Sequence, residues 1–191
     1  MLWNEQSPVS LFDGVPFGAL SDAGRGLSDP VTEAAITGAA LVRHLDDARF
    51  ASLRALRQLL RALGAERVAI GFMHATGETF NESLAWTSGF GRCGESARSL
   101  SCAGFADAVQ DWLATGQFAL EVDIDVQSAA WHDWPCDHLL LVRGDLVVRG
   151  QGRVALAAQL RSPDGLPGGA DEAIALFLHE YGRRHLQQAK V

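Results

Sequence analysis

The sequence predicts an α+β fold. The expected core is an antiparallel sheet of about six strands. Long N- and C-terminal helices lie on one face, with a shorter helix and loops on the other. Three observations predict it. Strand-like segments follow one another through short turns, so hairpins account for most connections. Long amphipathic stretches stand at both ends of the strand-bearing region. Between Gly104 and Leu160 the chain reads helix, short strand, tryptophan-rich loop, then three β-segments.

Residues 1–28 form an irregular N-terminal arm, because Pro8, Pro16 and the glycines at 14, 18, 24 and 26 break any regular period. A single domain is expected over 29–191. Asp29 or Ser28 caps the first helix and Pro30 suits its first position. Apolar residues then recur at helical spacing to Leu45 and again from Phe50 to Leu63, with Gly64 placed to stop the run. The spacing is compatible with one bent helix or two. Arg67–Ala75 is rich in β-branched and aromatic residues and reads as a strand. Thr76-Gly77-Glu78 turns it into Thr79–Thr87, where Phe80, Glu82, Leu84 and Trp86 alternate with Asn81, Ser83 and Ala85. Residues 88–102 read as a glycine-rich loop. Ala103–Thr115 is a helix stopped by Gly116, and Phe118–Ile124 is a strand. After the loop 125–137, strands are expected at His138–Val142, Leu146–Arg149 and Arg153–Leu160. The turns between them are at Gly144-Asp145 and Gly150-Gln151-Gly152. A Pro/Gly loop leads into a last helix striped by Ile174, Phe177, Leu178, Tyr181 and Leu186.

Composition narrows the partners. The 191 residues carry a net charge of −7, so broad nucleic-acid binding is not expected. The cations are almost all arginines and are dispersed, a bias that suggests a GC-rich bacterial genome. No apolar run approaches the ~18 residues of a membrane span, and no membrane insertion is expected. Three cysteines cannot all pair, and the N-terminus lacks a basic region before an apolar run. A reducing cytoplasm is therefore the expected location.

Two segments carry a family resemblance. FADAVQDWLATGQFALEVDI has a helix ending in Thr-Gly and then a strand ending in an acidic residue. RGQGRVALAAQL has a tight turn and a strand rich in small residues. In this order they resemble a GAF domain, over roughly residues 45–190. The resemblance implies a sensory or regulatory module that binds a small ligand, or a signalling protein, over the sheet. No subclass signature accompanies it. The Asn-Lys-Phe-Asp pattern of cyclic-nucleotide binders is absent. The nearest approach to the Cys-His pair of bilin binders is Cys136-Asp137-His138. No cofactor is expected.

The candidate ligand-binding residues are Trp86, Phe105, Trp131, His132, Trp134 and His138. Most of them gather in the loop Trp131–His138, where two imidazoles, one thiol and two carboxylates fall within eight residues. His132, Cys136 and His138 have the chemistry of zinc or iron ligands, but their spacing matches no standard motif, and no metal is the leading expectation. A second resemblance, to GAF-fold free methionine sulfoxide reductases, implies thiol chemistry by Cys93, Cys102 and Cys136. One thiolate would attack the sulfoxide and a second would close a disulfide. The acidic residues that family places in its final core strand are replaced here by Ala157-Ala158-Gln159, so the non-catalytic reading leads. An adaptor with a vestigial pocket, acting through protein contacts alone, is the other alternative. The apolar stripes of the terminal helices can serve a homodimer interface or pack on their own sheet, and a homodimer through these helices is expected.

Overall fold

The computed structural model describes residues 29–88, 93–162 and 165–188, without the side chains of 93 and 186–188. The expected arm 1–28 lies outside the described residues. The first helical run is two helices, α1 (Pro30–His44) and α2 (Ala48–Ala62). Asp29 takes the cap of α1, its carboxylate accepting from the amides of Val31 and Thr32 at 2.9 Å. Asp47 caps α2 through the amide of Phe50, also at 2.9 Å. A fresh N-cap three residues after α1 ends explains the break, since the cap residue must leave the helical conformation.

Gly38 sits where α1 crosses its neighbours. A Cβ there would lie 2.8 Å from Ala55 of α2 and 3.3 Å from Phe177 of the last helix. The glycine that weakens α1 locally is what lets three helices pack closely.

The strands are β1 (Arg67–Met73), β2 (Thr79–Thr87), β3 (Cys93–Glu95), β4 (Ser99–Ser101), β5 (Ala119–Asp123), β6 (His138–Val148) and β7 (Gly152–Leu160). All pairings are antiparallel, in the order β3-β2-β1-β7-β6-β5, with β4 also on β2. Helix α3 is Ala106–Ala114, and α4 is Ala170–Gln188. The expected fold class therefore holds, with three corrections of detail. Gly144-Asp145 is not a turn. The ladder only shifts between Arg143 and Val147, so two expected strands are one long β6. Residues 88–102 are not all loop, because β3 and β4 pair with β2. The alternation read across β2 also breaks, because Ser83 is an extra residue: Ile70 pairs with Leu84 but Gly71 pairs with Glu82.

That bulge changes which side chains face which way. Ser83 and Leu84 both point to the helices, whereas Phe80 belongs to the opposite core. Short polar hydroxyls and hydrogen-bonding patterns, not hydrophobic periodicity, decide such a site, so alternation alone misses it. Gly71 makes it possible. A Cβ there would stand 2.2 Å from the carbonyl oxygen of Asn81.

Both faces of the sheet are covered. On the helix face, Val68, Ile70, Phe72, Val142, Val154 and Leu156 pack with Leu56, Leu59, Ile174, Phe177 and Leu178. On the loop face, Ala69, Met73, Phe80, Leu139, Leu141, Ala155 and Ala157 pack with Leu100, Val109, Trp112 and Trp134. Glu180 of α4 ties the helices together. Its buried carboxylate accepts from Arg43 of α1 at 2.6 Å and from Arg183 at 2.9 Å. The hydrogen bond from Arg43, opposed by burial and aided by Arg183, holds its pKa below the usual glutamate value.

Two predictions follow from this packing. Gly71→Ala should destabilise the fold by about 1–3 kcal/mol or more in urea unfolding, because the clash is with backbone. Gly64→Ala, with a positive φ but open space around it, should cost only about 1 kcal/mol. A carboxylate with a depressed folded pKa stabilises above its unfolded value and loses that contribution as pH falls through the folded value. Glu180→Gln should thus be less stable than the parent at neutral pH. The gap should narrow on acidification below the ordinary glutamate value near 4.5; a gap of constant size would contradict the assignment.

Candidate ligand-side face and its tryptophan loop

The loop face is built from three pieces. A short 3-10 turn at Ala103–Phe105 leads into α3. Helix α3 lies over the sheet through Val109 and Trp112, and the loop after β5 contributes a second 3-10 turn at Ala129–His132. Arg143 of β6, itself buried, anchors the end of α3. Its Nε donates to the carbonyl of Gln117 at 2.7 Å, and its Nη2 donates to that of Thr115. A guanidinium bonded to the orphan carbonyls of a helix end satisfies groups that would otherwise be costly to bury.

Trp134 is the centre of the loop. It is 1% exposed, and its ring lies 5.8 Å from Phe80 and 6.3 Å from Phe105, centroid to centroid. Its indole N–H donates to the carbonyl of Ser101 at 2.8 Å. The neighbouring Asp133 accepts from the amide of the same Ser101 at 2.9 Å. The loop is thus clipped to β4 by two polar bonds and plugged into the core by one indole. Buried tryptophan needs a partner for its N–H, and a strand end supplies it.

The sequence-predicted residues do not all meet. Phe105, Trp131 and Trp134 share the loop face. Trp86 does not: it packs on the helix face, with the guanidinium of Arg57 5.6 Å above its ring. The bulge at Ser83 and the strand alternation after it put Trp86 on that side. His132 is exposed at the end of the 3-10 turn. His138 opens β6 and pairs through Nδ1 with Asp123 at 2.7 Å. Cys136 is buried. These three candidate metal ligands therefore point to different environments. Among the described residues, no three His, Cys, Asp or Glu side chains gather in metal-binding geometry.

The thiols are set for packing rather than attack. Burial, with the carboxylate of Asp133 adding to it, pushes Cys102 up to about 12. Burial likewise pushes Cys136 up to about 12, with Asp137 and Glu66 contributing. At neutral pH both are protonated, and the thiolate is the nucleophile. Cys93 lies in β3, and its side chain is outside the described residues.

Two groups at this face escaped the sequence reading. Glu82, deeply buried, takes a two-pronged bond from Arg67 at 2.6 and 3.3 Å and a hydroxyl bond from Ser96. Arg143 is the other. An arginine inside an apolar strand (Leu140-Leu141-Val142-Arg143) is the signal that marks it. Glu82 carried no such mark, because a polar residue at that place fits a solvated strand face equally well.

Removal of the plug should be costly. Trp134→Ala is expected to destabilise the protein by about 3–5 kcal/mol in denaturant unfolding. Trp131→Ala, at a half-buried ring, should cost clearly less. Equal losses would mean that the loop is not anchored by Trp134.

Comparison with known proteins places this architecture. No protein-family model matches the chain, and no curated protein resembles it significantly in sequence. Solved structures do. The phycocyanobilin-bound GAF domain of a cyanobacterial phytochrome is 11% identical with a TM-score of 0.58, covering 84% of this chain and 96% of that one. The phycoerythrobilin-bound GAF domain of a cyanobacterial phytochrome is 11% identical with a TM-score of 0.56, covering 85% and 100%. The chromophore-binding domain of a bacteriophytochrome from R. palustris is 11% identical with a TM-score of 0.54, covering 89% of this chain and 65% of that one. Such likeness at low identity speaks for fold. With its antiparallel sheet between a helix layer and a loop layer, the chain has the fold of a GAF domain, of no particular subclass.

Proposed function

We propose that the chain is a non-catalytic regulatory module of GAF-like fold in bacterial cytoplasmic signalling, working through protein contacts of its helix layer. The observation that carries this reading is the buried plug of the loop face. Trp134 occupies the space beside Phe80 and Phe105 with its own ring, and the nearby thiols are protonated at neutral pH. With the described thiols, Cys102 and Cys136, buried, and the Trp134 ring packed on the loop face, the helices are the surface that this reading assigns to partners.

The helix layer is suited to a second copy of the chain. α1 and α4 run the same way: the segment before α4 lies beside Pro30 and Val31, and Arg43 meets Glu180 at the other end. Asp29, Glu33, Asp171 and Glu172 make the starting end acidic, while the far end carries Arg43, Arg183 and Arg184 beside Glu180 and Asp46. Ile36 and Leu176, both large, apolar and exposed, lie between. A two-fold axis across the helices would bring each acidic end onto the arginine-bearing end of the other copy with the apolar residues at the centre, as an isologous interface requires.

A second reading, a sensor that binds a small ligand on the loop face, is favoured by the similar solved structures, which are bilin-bound GAF domains. A ligand there would pack against Trp134, whose ring lies beside Phe80 and Phe105. The residues for it would be Phe105, Trp131, Trp134, His132 and His138.

Native mass spectrometry reads both possibilities at once. The expected species is a dimer without added mass, converted to monomer by Ile36→Glu or Leu176→Glu with an unchanged circular dichroism spectrum. A monomer at every concentration would remove the dimer. A stoichiometric small molecule released on Trp134 substitution would establish the sensor instead.

A further inference from the structure

The helix face holds a cleft that belongs to neither reading. It has a volume of about 270 Å³ and opens between the start of α2, the middle of β2 and the end of α4. The bulge in β2 builds its floor. Ser83, pushed out of register, brings its Oγ to 2.8 Å from the hydroxyl of Tyr181. Burial raises the Tyr181 pKa, so the phenol stays protonated. Two hydroxyls that share one hydrogen bond keep one further O–H to donate.

The walls are equally specific. The His185 ring stacks on Tyr181 at 6.2 Å and 24°, and stands 5.2 Å from Phe72. The imidazole is thus a fixed, flat surface. Arg49 stands in an ion pair with Glu95 at 3.3 Å, and both side chains are mostly exposed, so the pair exchanges partners cheaply. Arg184 lines the cleft but is committed to the carbonyls of Val42, Arg43 and Leu45 at 2.9–3.1 Å. Leu84 and Ala48 supply apolar surface. The polar lining is rich in donors and cations, and its one carboxylate already has a partner.

We propose that this cleft binds a small organic acid. Its carboxylate would meet Arg49 and the Ser83–Tyr181 hydroxyls, and its apolar body would lie against His185, Tyr181 and Leu84. The volume falls just below the range of about 300–1,000 Å³ usual for drug-sized ligands, which limits the ligand to a small one. A ligand so placed would bridge the end of α4 to the start of α2 and the middle of β2. This site stands independently of the dimer and of the loop face.

The test is a titration of the full chain by two-dimensional amide NMR, with benzoate as the probe and benzamide as its uncharged counterpart. Benzoate should give saturable shifts centred on Ser83, Tyr181 and His185, and benzamide should bind at least about tenfold more weakly. Arg49→Gln and Tyr181→Phe should each weaken benzoate about tenfold while keeping the spectrum of a folded protein. Arg149→Gln, far from the cleft on the β6–β7 turn, should bind as the parent does. Shifts scattered over surface arginines, equal binding of benzamide, or unchanged binding by both cleft variants would overturn the proposal. Mass spectrometry reads the dimer and amide shifts read the cleft, so a failed dimer and a failed ligand site give different results.

Discussion

Strand β1 is buried on both faces, and at its centre Gly71 admits the backbone of β2 to within a distance no Cβ could tolerate. The rest of the sheet is arranged around that close approach. It places Ser83 out of register, which turns Phe80 and Glu82 toward the loops and Ser83, Leu84 and Trp86 toward the helices. The same shift interrupts pairing on the far side of β2, so the next segment contributes two three-residue strands, β3 and β4, instead of one. One missing side chain thus sets the composition of both cores, the anchor for Trp134 on β4, and the hydroxyl floor of the helix-face cleft.

The two layers over the sheet are held by different physics. The helix layer is mostly apolar packing, sharpened by a single buried carboxylate that gathers two arginines. The loop layer has less regular structure, and buried backbone outside helices and strands must find other partners. Here those partners are named side chains: Arg143 for the end of α3, and Asp133 and Trp134 for the strand that precedes it. A layer tied down by a few directional bonds is more dependent on each of them than one held by many apolar contacts. The helix face leaves Ile36 and Leu176 exposed, while on the loop face Trp134 is buried beside Phe80 and Phe105.

Much of the architecture was legible in residue order. The cap at Asp29, the stop at Gly64, the turn at Gly150–Gly152 and the run of hairpins follow from local backbone chemistry, and the GAF-like order of elements follows from them. The candidate site was less legible. Trp131 and Trp134 were visible as unusual residues in one loop, but sequence could not say whether an indole lines an open pocket or fills it. Cys136 and His138 stand close in the chain and face different environments, because Cys136 lies in the bend before β6 and regular strand alternation starts only at His138.

The sequence by itself determined most of the elements, their largely antiparallel connectivity and the absence of any subclass signature, since these depend on local periodicity, turns and motifs. Only the tertiary structure decided which face each side chain serves. That depends on the register between β1 and β2, which is set by a contact between Gly71 and a backbone ten residues away. A one-residue shift in register inverts facing without changing composition or pattern enough to be seen. For this reason Trp86, Ser83 and Tyr181 found their partners only once the strands were paired.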